Sequence, residues 1–329
     1  MNIRNKISFK RIVILETIIL ILLIILLIQC KTQNNNSQGL LSQRIYNGII
    51  EPKSYLIFNL NPLEDKIQEI IDQSGGHVAV YIVNLRDGAS IGINENEPFE
   101  PASLGKLTVA IAIMKEVERG NLRLNQELPI LEKDRTFISS KLSETNQNTI
   151  TVRDALEMML KESDNTAFNV LNHYIKTNDV VFINKYLDPT GDNFSVNEDG
   201  TLSYNDFATT PKYITNLFTS LYLSTLLEYK DSEFILELLN NPTFDIRDIA
   251  QIPDDVKIVQ KFGIYIEKDG GGLHDCGIMY IEESRIAYCV MTKNMDPEKA
   301  ARVIGEIVKV TYIYIQEIRN ELDDYSKID

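Results

Sequence analysis

The chain has 329 residues, 44% of them apolar, with 47 acidic against 33 basic side chains and a formal net charge of −14. That length and apolar share are enough for one large domain with a sizeable core, and the acidic balance excludes nucleic acid as a natural partner. Three cysteines (Cys30, Cys276, Cys289) and three histidines (His77, His173, His274) are scattered without metal-ligand spacing, so no metal or other cofactor is expected.

Four bases, Arg4, Lys6, Lys10 and Arg11, precede an apolar run over 12–28 that only Glu16 and Thr17 interrupt. As a helix this run rises about 25 Å, near the lower limit for crossing a bilayer. The bases predict a cytoplasmic amino terminus and an exported remainder. Residues 1–30 are therefore expected to be a single-pass membrane anchor or signal segment. No small-x-small site follows, which favours an uncleaved anchor over a cleaved signal peptide. Lipidation at Cys30 is a third option, although Gln29 stands where such signals want a small residue. Residues 31–60 read as a linker, polar and Asn/Gln-rich at first.

Leu63 to Ser74 carries Ile67, Ile70 and Ile71 on one helical stripe. Val78 to Leu85 and Ser90 to Asn94 read as a hairpin around Arg86-Asp87-Gly88. Pro101 to Arg119 reads as a helix ending at Gly120. From Val152 to about Asn240 the pattern is mostly helical. Lys257 to Ile266, Leu273 to Ile281 and Arg285 to Thr292 read as three strands, and Pro297 to Leu322 as a closing helix. Strands at both ends with helices between them predict an α/β fold of the α+β type over 61–322, followed by a tail over 323–329. Its parts are one antiparallel sheet, flanking N- and C-terminal helices, and an inserted all-helical lobe. The cleft between sheet and lobe is the natural place for chemistry. Cys276 and Cys289 fall near each other across the last hairpin, where buried free thiols are expected rather than a disulfide.

Three short motifs carry the chemistry. Ser103-Leu104-Gly105-Lys106 follows Pro101-Ala102 at a helix start. There the dipole and free N–H groups favour developing negative charge, and Lys106 shares the face of Ser103. A serine hydroxyl needs an adjacent base, and a lysine serves if burial and neighbouring cations depress its pKa. Ser163-Asp164-Asn165 opens a helix. Its hydroxyl suits proton relay and its amide suits a substrate carbonyl, while a plain helix cap explains it equally well. Lys261-Phe262-Gly263 lies in a strand, where the lysine offers positive potential and the glycine lets a substrate backbone approach. An edge-strand lysine is the ordinary alternative.

In this order the three motifs resemble the signature set of class A β-lactamases and penicillin-binding proteins. The resemblance extends from about Leu63 to Ile315 and includes Ile150 to Asp154, Thr209-Thr210-Pro211 and His274-Asp275-x-Gly277. It implies that Ser103 forms an acyl-enzyme with help from Lys106, and that Ser163 passes a proton to the leaving nitrogen. Asn165 orients the substrate, and Lys261 strengthens the potential for its carboxylate. Gly263 lines the strand, and the N–H groups of Ser103 and Ile264 form the oxyanion hole. The implied substrates are a β-lactam or a peptidoglycan stem peptide, met outside the cell membrane. Two departures stand out. Phe262 replaces the family's hydroxyl residue, which removes a hydrogen bond to the substrate carboxylate. The Glu-x-x-Leu-Asn element of class A enzymes is not intact either. Glu198, in a Glu-Asp-Gly turn, is the candidate deacylation base, with a solvated turn acid as the plainer reading. A β-lactamase, a DD-peptidase with slow deacylation and a non-catalytic binding module on the same fold therefore all remain open. His274 is expected to be structural.

Overall fold

The structure, a computed structural model, describes residues 59–188, 195–196, 202–203, 208–240, 242–267, 270–282 and 284–325. The apolar run 12–28, Cys30 and Glu198 lie outside these residues. Among the described residues no helix is long and apolar enough to cross a membrane.

Helix α1 (Asn61–Ser74) starts with a proline in its first turn and ends at Gly75, whose φ of 61° suits a residue without a side chain. Strands β1 (His77–Asn84) and β2 (Ser90–Ile93) form the expected hairpin. A single 3₁₀ turn, Ala102–Gly105, leads into helix α2 (Lys106–Glu118). Of the thirteen residues of α2, ten are buried, including the unbroken run from Lys106 to Met114. A helix apolar on every side belongs at the centre of a domain, and α2 is the axis of the helical lobe. Around it lie a small hairpin, β3 (Glu127–Pro129) with β4 (Thr149–Thr151), and helices α3 (Val152–Lys161), α4 (Asn165–Asn172) and α5 (Thr177–Leu187). Beyond a short pair, β5 (Ser195–Val196) and β6 (Leu202–Ser203), come α6 (Pro211–Tyr222), α7 (Tyr229–Leu238) and α8 (Ile246–Ala250). The chain then returns as β7 (Lys257–Glu267), β8 (Gly270–Ile281) and β9 (Ser284–Lys293), and closes with α9 (Pro297–Tyr325).

The main sheet has the order β2-β1-β9-β8-β7, antiparallel throughout. Each face of it backs a separate core. Ala79, Val259, Cys276, Ile278 and Met291 pack with Leu107, Ile111 and Phe218 of the lobe. Val78, Val80, Ile258 and Met279 pack with Leu63 and Ile67 of α1 and with Ile304 and Ile307 of α9. The alternation of Val78 and Val80 with Ala79, and of Ile258 with Val259, is the strand period expressed as two cores.

The expectation of free thiols is overturned. The β8/β9 register sets Cys276 directly opposite Cys289, with Cα atoms 3.9 Å apart, and a disulfide joins them. Directly opposed residues of an antiparallel pair bring their side chains closest. Only a residue-level register reveals that, and the sequence fixes the hairpin only approximately.

Candidate active site

Ser103 lies in the 3₁₀ turn, with Lys106 as the first residue of α2. One turn of helix brings Lys106 Nζ within 3.0 Å of Ser103 Oγ. The same nitrogen lies 2.5 Å from the Ser163 carbonyl oxygen, 2.6 Å from Asn165 Oδ1 and 3.2 Å from Ser163 Oγ. Lys106 is 4% exposed. Burial pushes its pKa down to about 8, against a weaker upward pull from Asp164. A neutral amine here gives its two N–H bonds to the nearest acceptors, Ser163 O and Asn165 Oδ1. Its lone pair is then available to the two remaining neighbours, the hydroxyls of Ser103 (3.0 Å) and Ser163 (3.2 Å), as a base that takes the Ser103 proton requires.

Ser163 Oγ accepts from Lys261 Nζ at 3.0 Å and lies 3.2 Å from Lys106 Nζ, so this hydroxyl stands between two lysines carried by different parts of the fold. Its backbone φ is +58°, and that of Ala102, beside Ser103, is +46°. Both are left-handed conformations that cost residues with a side chain of order 1–3 kcal/mol. At Ser163 the neighbouring Asp164 supplies the restraint. It is buried and accepts from Ser140 Oγ (2.9 and 3.1 Å), Leu142 N (2.9 Å) and Ala167 N (2.9 Å). Asn165 donates Nδ2 to Ile138 O at 3.0 Å, and its own N–H donates to Ser139 O at 3.0 Å. The loop 138–140 thus braces the second motif. The sequence reading missed this loop. Its one signal was the Ser139-Ser140 pair in a polar stretch, too common to single out.

On the strand wall, Lys261 is fully buried. Its pKa is driven well below the usual lysine value, first by burial and then by Lys106, with Asp275 opposing. Gly263 sits where a Cβ would come within 3.0 Å of Ser103 N and of Ala102 Cβ. The glycine thus allows β7, the edge strand of the sheet, to lie against the amide of Ser103. Ile264 follows it and is exposed. Strand alternation turns Phe262 toward Phe244, with ring centroids 5.1 Å apart, yet its ring also reaches 4.6 Å from Lys261 Nζ.

His274 joins the two halves of the wall. Its Nε2 meets Glu100 O at 2.8 Å and its Nδ1 accepts from Thr292 N at 3.2 Å. Donation from one nitrogen and acceptance at the other suit a neutral ring, and burial lowers its pKa to about 4. The ring ties the turn before Ser103 to β8 and β9, which is the structural part expected for it. Asp275 points into the opposite core. It accepts from Gln260 Nε2 (3.0 Å) and Tyr288 Oη (2.7 Å), and burial raises its pKa to about 7.

The three motifs, separated by 57 and 98 residues in the chain, therefore meet around one hydroxyl. Residues 62–315 match the family described as the β-lactamase enzyme family. The chain belongs to that family. Along 268 residues it is 24% identical to β-lactamase VEB-1 of Pseudomonas aeruginosa, covering 76% of this chain and 89% of that protein. The TLA-3 extended-spectrum β-lactamase superposes with a TM-score of 0.69 at 19% identity, covering 78% of this chain and 99% of that one. A PBP-A mutant, solved as an acyl-enzyme complex with penicillin G, superposes with a TM-score of 0.67 at 18% identity over 78% and 97%. At such identities what these structures share with this chain is the β-lactamase fold: antiparallel sheet, flanking helices and helical lobe.

Proposed function

We propose that this protein is a serine acyl-hydrolase that forms an acyl-enzyme at Ser103 and opens the β-lactam amide. The observation that carries the reading is the single amine, Lys106 Nζ, 3.0 Å from Ser103 Oγ and 3.2 Å from Ser163 Oγ. Ser103 Oγ attacks the carbonyl as its proton moves to Lys106. The proton returns through Ser163 to the departing nitrogen, with Lys261 holding the Ser163 hydroxyl from the other side. Asn165 is the residue offered to the substrate side chain. The amides of Ser103 and Ile264 are the proposed oxyanion donors, with Gly263 giving the strand its close approach. Loss of one such donor typically costs about 10²–10³ in rate. The same proposal puts the domain outside the cell membrane, tethered through residues 12–28.

A second reading, a penicillin-binding DD-peptidase acting on stem peptides, has a specific observation behind it. A PBP-A mutant, similar in fold, was solved as an acyl-enzyme complex with penicillin G. The experiment is the time course of benzylpenicillin loss with the purified protein and its Ser103→Ala variant. Steady loss that Ser103→Ala abolishes supports a hydrolase. One equivalent consumed and then held supports the peptidase. Loss unchanged in Ser103→Ala rejects Ser103 as nucleophile.

A further inference from the structure

The resemblance implies that Lys261 and a hydroxyl neighbour would serve the substrate carboxylate, so the surroundings of Lys261 are informative. An ammonium has three N–H bonds to give. Here Nζ lies 3.0 Å from Ser163 Oγ, 3.1 Å from the Phe262 carbonyl oxygen and 4.6 Å from the centre of the Phe262 ring. The side chain is 0% exposed. Two of its donors have acceptors, the Phe262 ring stands beside the amine, and the hydroxyl that the resemblance leads one to expect is replaced by that ring. A carboxylate brought here would shed water against Phe262 and gain no direct partner from this pair, an unfavourable exchange.

A second, independent feature points the same way. Two large apolar side chains stand exposed on the loop of the lobe wall. Phe137 (92% exposed) and Ile138 belong to the loop that braces Asn165, whereas Ile264 and Ile266 alternate with Gly263 along β7 and so lie on the face of the strand away from Ser103. Single exposed apolar residues are ordinary, but two adjacent ones on the loop bonded to Asn165 are what an apolar substrate would use.

Resting on the acyl-enzyme reading above, we propose that the cleft selects acyl donors with no carboxylate beside the scissile bond, and that uncharged, apolar carboxylic esters and thioesters are its preferred substrates. A β-lactam still acylates Ser103, because ring strain drives it, but without the grip on its carboxylate. With an ester, Ser103 Oγ bonds to the carbonyl carbon and the ester C–O bond breaks. The serine proton passes by Lys106 and Ser163 to the departing alkoxide, which leaves as the alcohol. Water then attacks the acyl carbon, the bond to Ser103 Oγ breaks, and the acid leaves as the serine regains a proton. No further reactant is needed.

The test uses the full-length chain and two thioesters that differ only in charge, N-benzoylglycyl-thioglycolic acid and its methyl ester. The methyl ester is expected to have the higher kcat/KM by about tenfold or more, the scale of one charged hydrogen bond. Phe262→Thr, which restores a hydroxyl, is expected to raise kcat/KM for the acid by about the same factor, whereas Phe262→Leu, which restores none, leaves the preference for the ester. An equal or higher kcat/KM for the acid with the unaltered protein overturns the proposal, whether or not the variants fold. So does a preference that Phe262→Thr fails to narrow. Intact mass separates the two levels of failure. Acylation of Ser103 by both thioesters with the acid preferred sinks the substrate class alone. Acylation by neither sinks the acyl-enzyme reading and the substrate class with it.

Discussion

The two walls of the cleft are built by different rules. On the lobe wall, Ser103, Lys106, Ser163 and Asn165 are bound to one another by contacts of 2.5–3.2 Å and braced from behind by Asp164 and the 138–140 loop. On the strand wall, Lys261 and Gly263 keep their places, but the Phe262 ring lies against the Lys261 amine. In the proposed reaction the lobe wall makes and breaks bonds, so its tolerances are those of proton transfer. The strand wall is proposed to hold the substrate, so that Phe262 alters what is held while leaving the nucleophile's surroundings as they were.

That contrast can be broken most forcefully on the lobe wall. Lys106→Ala leaves Ser103 without its base, and the acylation rate is expected to fall by about 10²–10⁴. A stopped-flow measurement of acylation reads this directly, and a loss below tenfold shifts the base role elsewhere. On the strand wall the sharpest change is Gly263→Ala. Its new Cβ would need 3.0 Å from Ser103 N, so β7 must retreat from the amide. A loss of about 10²–10³ in kcat with an intact fold by circular dichroism is expected. Smaller is the pH effect. Acylation is expected to rise as pH rises through about 8, where buried Lys106 loses its proton. Its native pKa lies below the ordinary 10.5, so protonating it costs the folded state stability below about pH 8. That cost fades as pH climbs toward 10.5. A flat profile between pH 7 and 9 contradicts Lys106 as base. The mildest change is Ser140→Ala. It removes one of the donors to buried Asp164 and is expected to cost about 1–3 kcal/mol in chemical denaturation, with the Ser163 region loosened first.

Legibility in the sequence follows the same division. Lys106 and Ser103 were readable because three residues on a helix fix a geometry. The sheet was readable because Val78 to Leu85 and the three C-terminal strands keep a strong β pattern. That Ser163 stands between two lysines was legible only by resemblance, because the contacts span 57 and 98 residues. Its φ of +58° and the bracing by Ser140 were not legible, and of Cys276 and Cys289 the closeness across the hairpin was legible but the bond was not. Each depends on where a backbone passes to within an ångström. Phe262 was partly legible. Strand alternation turns it away from Lys261 and the resemblance brings its position to the cleft; the packing on Phe244 was not readable.

The measurement that bears most directly on the central claim is intact mass of the full-length chain mixed with benzylpenicillin, followed by peptide mapping of the modified species. The account predicts a covalent adduct on the peptide that contains Ser103, absent from Ser103→Ala. An adduct on another residue, or none with the fold intact and a neutral thioester equally inert, would contradict it.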